Sequence, residues 1–239
     1  MAREVYIYIA LVYTHYEYYY YIGGLCIDQD HSSSDNATDH SCRMNPFPSQ
    51  REGILNKSHP KNPYRSYTII HILYCSGDMH IGDAVRSYTD EEGGHIIHRG
   101  ILNTESVISW IQSQQKHGHL ALGSALRDVV VMGSDVGSIA AQLWGNEILR
   151  RLQFPDRAAV VSDSVIVFPP TIENQLLVDI GACNLPSLKA TVRSQCYHAN
   201  ITLDTLISNA IGEYPRVLYL MIYSIYNTYP LNYYMRRIP

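Results

Sequence analysis

Val129-Val130-Val131-Met132-Gly133-Ser134-Asp135-Val136-Gly137-Ser138-Ile139 is the stretch whose reading decides the fold. Four apolar residues run into a turn of small and polar ones, and a helical pattern continues from Ile139 to Leu152. The order is strand, sharp turn, helix. In open parallel sheets a turn of the form G-x-S-x-G lifts a nucleophile above the strand ends, because small flanking residues tolerate the strained angles. Here the middle position is Asp135.

The segments on either side repeat the pattern. Tyr67 to Tyr74 reads as a strand that empties into a loop, Cys75 to Asp83. Leu102 to Lys116 carries Val107, Ile108 and Ile111 at helical spacing, so a crossover helix feeding the Val129 strand is expected, completing a β-α-β unit. Downstream, Ala158 to Ser162 reads as a buried strand ending at Asp163-Ser164. Thr202 to Ile211 reads as a helix with Thr202 or Asp204 near its N-terminus, and Val217 to Tyr223 as a last strand. Upstream, Val5 to Thr14 and Tyr16 to Ile22 are rich in Tyr, Ile and Val, as half-buried strands are. Residues 26–62, with Pro46, Pro48, Pro60 and a Ser-rich run, read as a long surface excursion that a Cys26 to Cys42 bridge would staple. Strands alternating with helices make this an α/β chain with a mostly parallel sheet, and 239 residues suit one domain, 1–239.

Charge narrows the partners. A net charge of -4 with 17% charged residues offers no basic face for nucleic acid. The apolar run Val5 to Tyr13 is shorter than the ~20 residues that span a bilayer. It is also a poor signal peptide, because Glu4 follows Arg3 and no small-x-small site follows. Five cysteines without C-x-x-C spacing support neither zinc nor a redox motif. Asn36-Ala37-Thr38, Asn56-Lys57-Ser58 and Asn200-Ile201-Thr202 are glycosylation sequons, which suit a secreted chain.

Two loops are candidates for chemistry. Gly23-Gly24, just after an early strand, can bring backbone N–H groups to a developing oxyanion, or can simply end the strand. Asp78, His80 and Asp83, with His95 and His98 beyond, invite a metal reading. The alternative is a hydrogen-bonded loop that shapes the mouth of a site.

Taken in order, Gly23-Gly24-Leu25-Cys26, Tyr74-Cys75-Ser76-Gly77-Asp78 with His80 and Gly82-Asp83, His98-Arg99-Gly100, Val131 to Trp144, Asp163-Ser164 and Ser224 to Tyr234 resemble the pectin acetylesterase and Notum family of carboxylesterases. The resemblance spans roughly residues 16 to 235. It implies an α/β-hydrolase fold, secretion, no metal or other cofactor, and hydrolysis of acyl esters on carbohydrate or protein by a Ser-Asp-His triad. Carried over by position, it places the nucleophile at Asp135 and the acid at Asn227. Its oxyanion hole and pocket fall on Gly23, Gly24, Ser134, Val136, Ser76, Asp78 and His80. The family's histidine lies in a later segment, so the resemblance implies a C-terminally truncated domain; after the turn this sequence has only His198.

The substitutions set the expected chemistry. Triad hydrolysis needs a nucleophile, a base and a group that orients the base, and none stands in its family place. A carboxylate at Asp135 could attack directly, as in dehalogenases and epoxide hydrolases with a G-x-D-x-G turn, but its ester intermediate then needs a histidine to activate water. Ser134 is a second candidate, displaced by one residue. Asp135 also suits a helix cap, where a carboxylate gains ~1 kcal/mol from backbone N–H groups and the helix dipole. Such a fixed negative charge would repel an oxyanion. The expectation is an ester hydrolase of weak or no activity, or a non-catalytic relative that binds a glycan or acyl group.

Overall fold

The computed structural model describes residues 3–10, 56–73, 76–87, 95–117, 126–134, 136–153, 157–164, 170–212 and 217–223. In chain order the elements are β1 (Arg3–Ala10), β2 (Thr68–Leu73), β3 (Ala84–Ser87), β4 (His95–His98), α1 (Gly100–His117), β5 (Leu126–Ser134) and α2 (Val136–Arg151). Then come β6 (Arg157–Asp163), α3 (Pro170–Asp179), a 3-10 turn (Ala182–Asn184), α4 (Ala190–Tyr197), α5 (Leu203–Gly212) and β7 (Leu218–Ile222). The α/β expectation holds: among the described residues, five strands form one sheet in the order β2-β1-β5-β6-β7, every neighbouring pair parallel.

Counting only these five strands, the order is 2-1-3-4-5, a doubly wound arrangement whose direction of growth reverses between β1 and β5. At such a reversal the connections leave in opposite directions and open a crevice beyond the carboxyl ends of the strands. The expected β-α-β unit is present as β2-α1-β5, but β5 pairs with β1 rather than with β2. Ala10 lies beside Ser134, Ser134 beside Asp163, and Asp163 beside Ile222, so the carboxyl ends of β1, β5, β6 and β7 form one row.

Alternation along β5 assigns its two faces. Val129 and Val131 belong to the main core with Trp144, Ile139 and Ile148 of α2, whereas Val130 and Met132 form a smaller cluster with Val161, against which Tyr64 and Tyr67 pack. The main core also takes Ile101, Ile108 and Ile111 of α1 and Leu206 and Ile207 of α5. Burial of such side chains contributes ~25 cal/mol per Å² of apolar surface and is the main force holding these helices to the sheet. Gly145 lets α2 approach β6 closely, since a Cβ there would stand 2.6 Å from Val160 Cγ2.

Several elements depart from the sequence reading. The antiparallel ribbon of β3 and β4, with Val85 opposite Ile97, was not expected, because strands of four residues carry too little alternation to register. Helices α3 and α4 were also not expected; α4 carries only Val192 and Cys196 toward the core in eight residues. A disulfide joins Cys183 of the 3-10 turn to Cys196 of α4 across 13 residues. The proposed Cys26 to Cys42 bridge and the strand Tyr16 to Ile22 lie outside the described residues. No described helix is long and apolar enough to cross a membrane.

Candidate functional site

The row at the carboxyl ends of the sheet contains the turn singled out in the sequence. β5 ends at Ser134 and α2 begins at Val136, so a single position, Asp135, links strand to helix. Ser134 is half-buried and, by the two-residue alternation, shares the sheet face of Val130 and Met132. Asp135 itself, Gly23, Gly24 and Asn227 lie outside the described residues. The first turn of α2 is pinned to β6 by a buried network: Gln142 Nε2 donates to Ser162 Oγ at 2.9 Å and to the Ser138 carbonyl at 3.2 Å, and Ser162 Oγ donates to the same carbonyl at 3.3 Å.

Asp163 and Ser164 join this row from β6. The Ser164 hydroxyl donates to Asp163 Oδ1 at 3.0 Å, and the Ser164 N–H donates to the Ile222 carbonyl at 2.8 Å. Ser164 adopts φ 59, a left-handed conformation that costs a non-glycine residue ~1–3 kcal/mol and so is held by these bonds. The register brings a carboxylate and a hydroxyl next to the Ser134 strand end. In the sequence they figured as the end of a buried strand and as part of the family resemblance, and their proximity to the turn was not legible because it depends on strand pairing.

Ser76, half-buried, and Asp78 and His80, both buried, form a second group after β2. Asp78 is fully buried and accepts hydrogen bonds on both carboxylate oxygens. Ser76 Oγ donates to Oδ1 at 2.5 Å, the His80 N–H to Oδ1 at 3.1 Å and the Gly100 N–H to Oδ2 at 2.7 Å. Gly100 opens α1, so Asp78 satisfies a helix N-terminal donor from 22 positions away. The Gly82 carbonyl takes the next donor, the Ile101 N–H, at 3.0 Å. Both glycines are required sterically: a Cβ on Gly82 would lie 2.5 Å from Asp78 Oδ2, and one on Gly100 2.3 Å from Asp78 Oδ1. Met79 and His80 take φ 58 and 63, so the chain doubles back here against its local preference.

This loop is tied to the helix of the candidate turn. Trp144 of α2, fully buried, donates from Nε1 to the His80 carbonyl at 2.9 Å. At its far end the Asp83 N–H donates to the Ile180 carbonyl at 2.9 Å, and Arg99 pairs with the Asp83 carboxylate at 2.8 Å. The loop therefore couples β2, α1, α2 and the segment after α3.

Burial sets the protonation of the group. It pushes Asp78 above the usual carboxylate range, although the Ser76 hydroxyl, the two backbone N–H groups and His98 oppose the shift. Burial lowers His80 to about 3, helped by the nearby His71. His98 is also lowered by burial, against the opposing effect of Asp78. His98 Nδ1 lies 3.3 Å from the Ser76 carbonyl, and since a carbonyl only accepts, the ring proton sits on Nδ1. His98 Nε2 is then a buried acceptor with no hydrogen-bond partner among the described residues.

Asp78, His80, Asp83 and His98 of the metal reading are thus placed by their contacts. Asp78 is committed to N–H and O–H donors and Asp83 to Arg99, and among the described residues no group of three His, Cys, Asp or Glu is arranged to hold a metal ion. The single histidine after the turn, His198, sits at the end of α4, exposed, with Nδ1 on the Ser194 carbonyl at 2.7 Å. No protein-family model matches this chain, and no curated protein matches it.

Proposed function

We propose that this chain is a carboxylic-ester hydrolase-type protein of the pectin acetylesterase and Notum kind, which engages acylated carbohydrate or protein esters and cleaves them weakly or not at all. The observation that carries the reading is the strand-turn-helix junction at Ser134 and Val136, set at the reversal of a parallel sheet, where such sheets take their ligands. The ordered motifs of the resemblance supply the substrate class. The weak chemistry follows from Asp135 and Asn227 at the positions of nucleophile and acid.

A second reading, a binding protein without turnover, is favoured by His198. Its ring caps its own helix through the Ser194 carbonyl, which leaves Nδ1 committed to the end of α4. Both readings place secretion and an α/β-hydrolase fold in common.

Short acyl esters separate them. The expected result is p-nitrophenyl acetate hydrolysis at or barely above background, unchanged in Asp135→Ala. Asp135→Ser alone is expected to restore little, because triad members act as a unit. An Asp135-dependent turnover well above background refutes the loss of chemistry, and a chelator-sensitive one refutes the metal-free mechanism.

A further inference from the structure

Three sequons occur in the chain, and the structure separates them. Asn200 is exposed in the connection between α4 and α5. Its backbone is held by the end of α4: the Asn200 N–H donates to the Gln195 carbonyl at 3.0 Å and the Ala199 N–H to the Cys196 carbonyl at 2.9 Å, with Ala199 at φ 49. That pair of bonds is the Schellman closure of a helix. Ile201, the middle residue, is buried, so it anchors the connection while the asparagine before it stays exposed. Asn56 differs: it is half-buried, and its Oδ1 accepts the Ser58 N–H at 3.0 Å. Asn36 lies outside the described residues.

A second observation comes from cysteine chemistry. The disulfide at Cys196 lies four positions before Asn200. Structural disulfides form and persist in oxidising compartments, which in eukaryotes are also where asparagine glycosylation takes place. The acceptor site and the bridge therefore point to the same environment from independent residues.

We propose that Asn200 is an N-glycan acceptor. The side-chain nitrogen Nδ2 attacks the anomeric carbon of a lipid pyrophosphate-linked oligosaccharide. A C–N bond forms, the C–O bond to the pyrophosphate breaks, the lipid pyrophosphate departs and the amide gives up one proton. Thr202 supplies the hydroxyl that completes the sequon. In the folded chain the same hydroxyl caps α5, accepting the Thr205 N–H at 3.2 Å, so transfer precedes the closing of this cap. The exposed position then carries the glycan without displacing core side chains.

The inference rests on the secretory placement that accompanies the proposed function and not on its chemistry. The test expresses the full chain behind a cleavable signal peptide in insect or mammalian cells. The secreted protein is treated with peptide N-glycosidase in heavy-oxygen water and mapped by mass spectrometry. The expected result is heavy-oxygen aspartate at position 200 in the disulfide-bonded protein, with loss of one glycan step on a gel for Asn200→Gln and for Thr202→Val, and retention for Thr202→Ser. The wild-type peptide map reads the site directly, so poor folding of a variant leaves the test intact. An unmodified Asn200 in secreted, bridged protein overturns the proposal, as does a glycan carried solely at Asn36 or Asn56. Ester hydrolysis is assayed on the same preparation: an inactive, glycosylated chain leaves this inference standing, and an active, unglycosylated one overturns it alone.

Discussion

Replacing Asp78 tests how the loop after β2 is held. Both carboxylate oxygens accept a backbone N–H, Oδ1 from His80 and Oδ2 from Gly100. An asparagine has one oxygen and one NH2 group, so in either orientation a donor faces a buried donor. Leaving one buried N–H unsatisfied costs ~1–3 kcal/mol. Removing the buried charge returns part of this, because burial already raises the carboxyl above its usual range. The net expectation for Asp78→Asn is a loss of about 2 kcal/mol. Asp78→Ala strands both N–H groups and the Ser76 hydroxyl and is expected to lose about 4 kcal/mol. Urea titration followed by Trp144 fluorescence reads this directly, since its indole donates to the His80 carbonyl. A Trp110→Phe background removes the other tryptophan, which is half exposed on α1. If both variants unfold within ~0.5 kcal/mol of the parent, the carboxylate does not hold the loop and the reasoning fails.

Two further outcomes follow from the same group and from the disulfide. His80 is lowered from 6.5 to about 3, so between these values the unfolded chain binds a proton that the folded chain refuses. Stability should therefore fall as pH drops below about 6.5, by up to ~1.4 kcal/mol per pH unit for this histidine, with His98 adding in the same direction. Asp78 has the opposite sign: its raised pKa makes the folded state hold its proton more tightly, which costs stability as pH rises through its titration and partly flattens the acid limb. Urea midpoints measured from neutral pH to about pH 5 check the balance, and a flat profile refutes the buried, neutral histidines. The Cys183–Cys196 bridge closes a loop of 13 residues. A double serine variant should lose about 3 kcal/mol from the chain-entropy relation, and a thermal midpoint indifferent to reductant refutes a formed bridge.

Elements that announce themselves by local pattern were legible in the sequence. Val129 to Met132 and Ala158 to Ser162 proved to be strands, and the helical spacing of Val107, Ile108 and Ile111 marked α1, because a period of two or of 3.6 residues is written into consecutive side chains. The start of α5 was legible to within two residues, at Thr202 or Asp204, because a cap acts only three residues away; the structure gives the cap to Thr202. The ribbon of β3 and β4, by contrast, is four residues deep on each side and has no local signature. The set Asp78, His80, Asp83, His95 and His98 was visible as residue types, but its chemistry was not. Whether a carboxylate binds a metal or caps a helix depends on Gly100, 22 positions later, arriving at hydrogen-bond distance.

The sequence by itself determined that a strand, a sharp turn over Gly133 to Gly137 and a helix follow one another, that the sheet is mostly parallel, and which residue types stand at the turn. Tertiary structure decided that β5 lies against β1 and not β2, that Ser134 and Asp163 end in one row, and that Cys183 meets Cys196. The physical reason is the range of the forces: backbone propensity and side-chain alternation act within a few residues and can be read in order. Strand order, the burial of Asp78 and the pairing of cysteines depend on the packing of one common core by segments far apart in the chain.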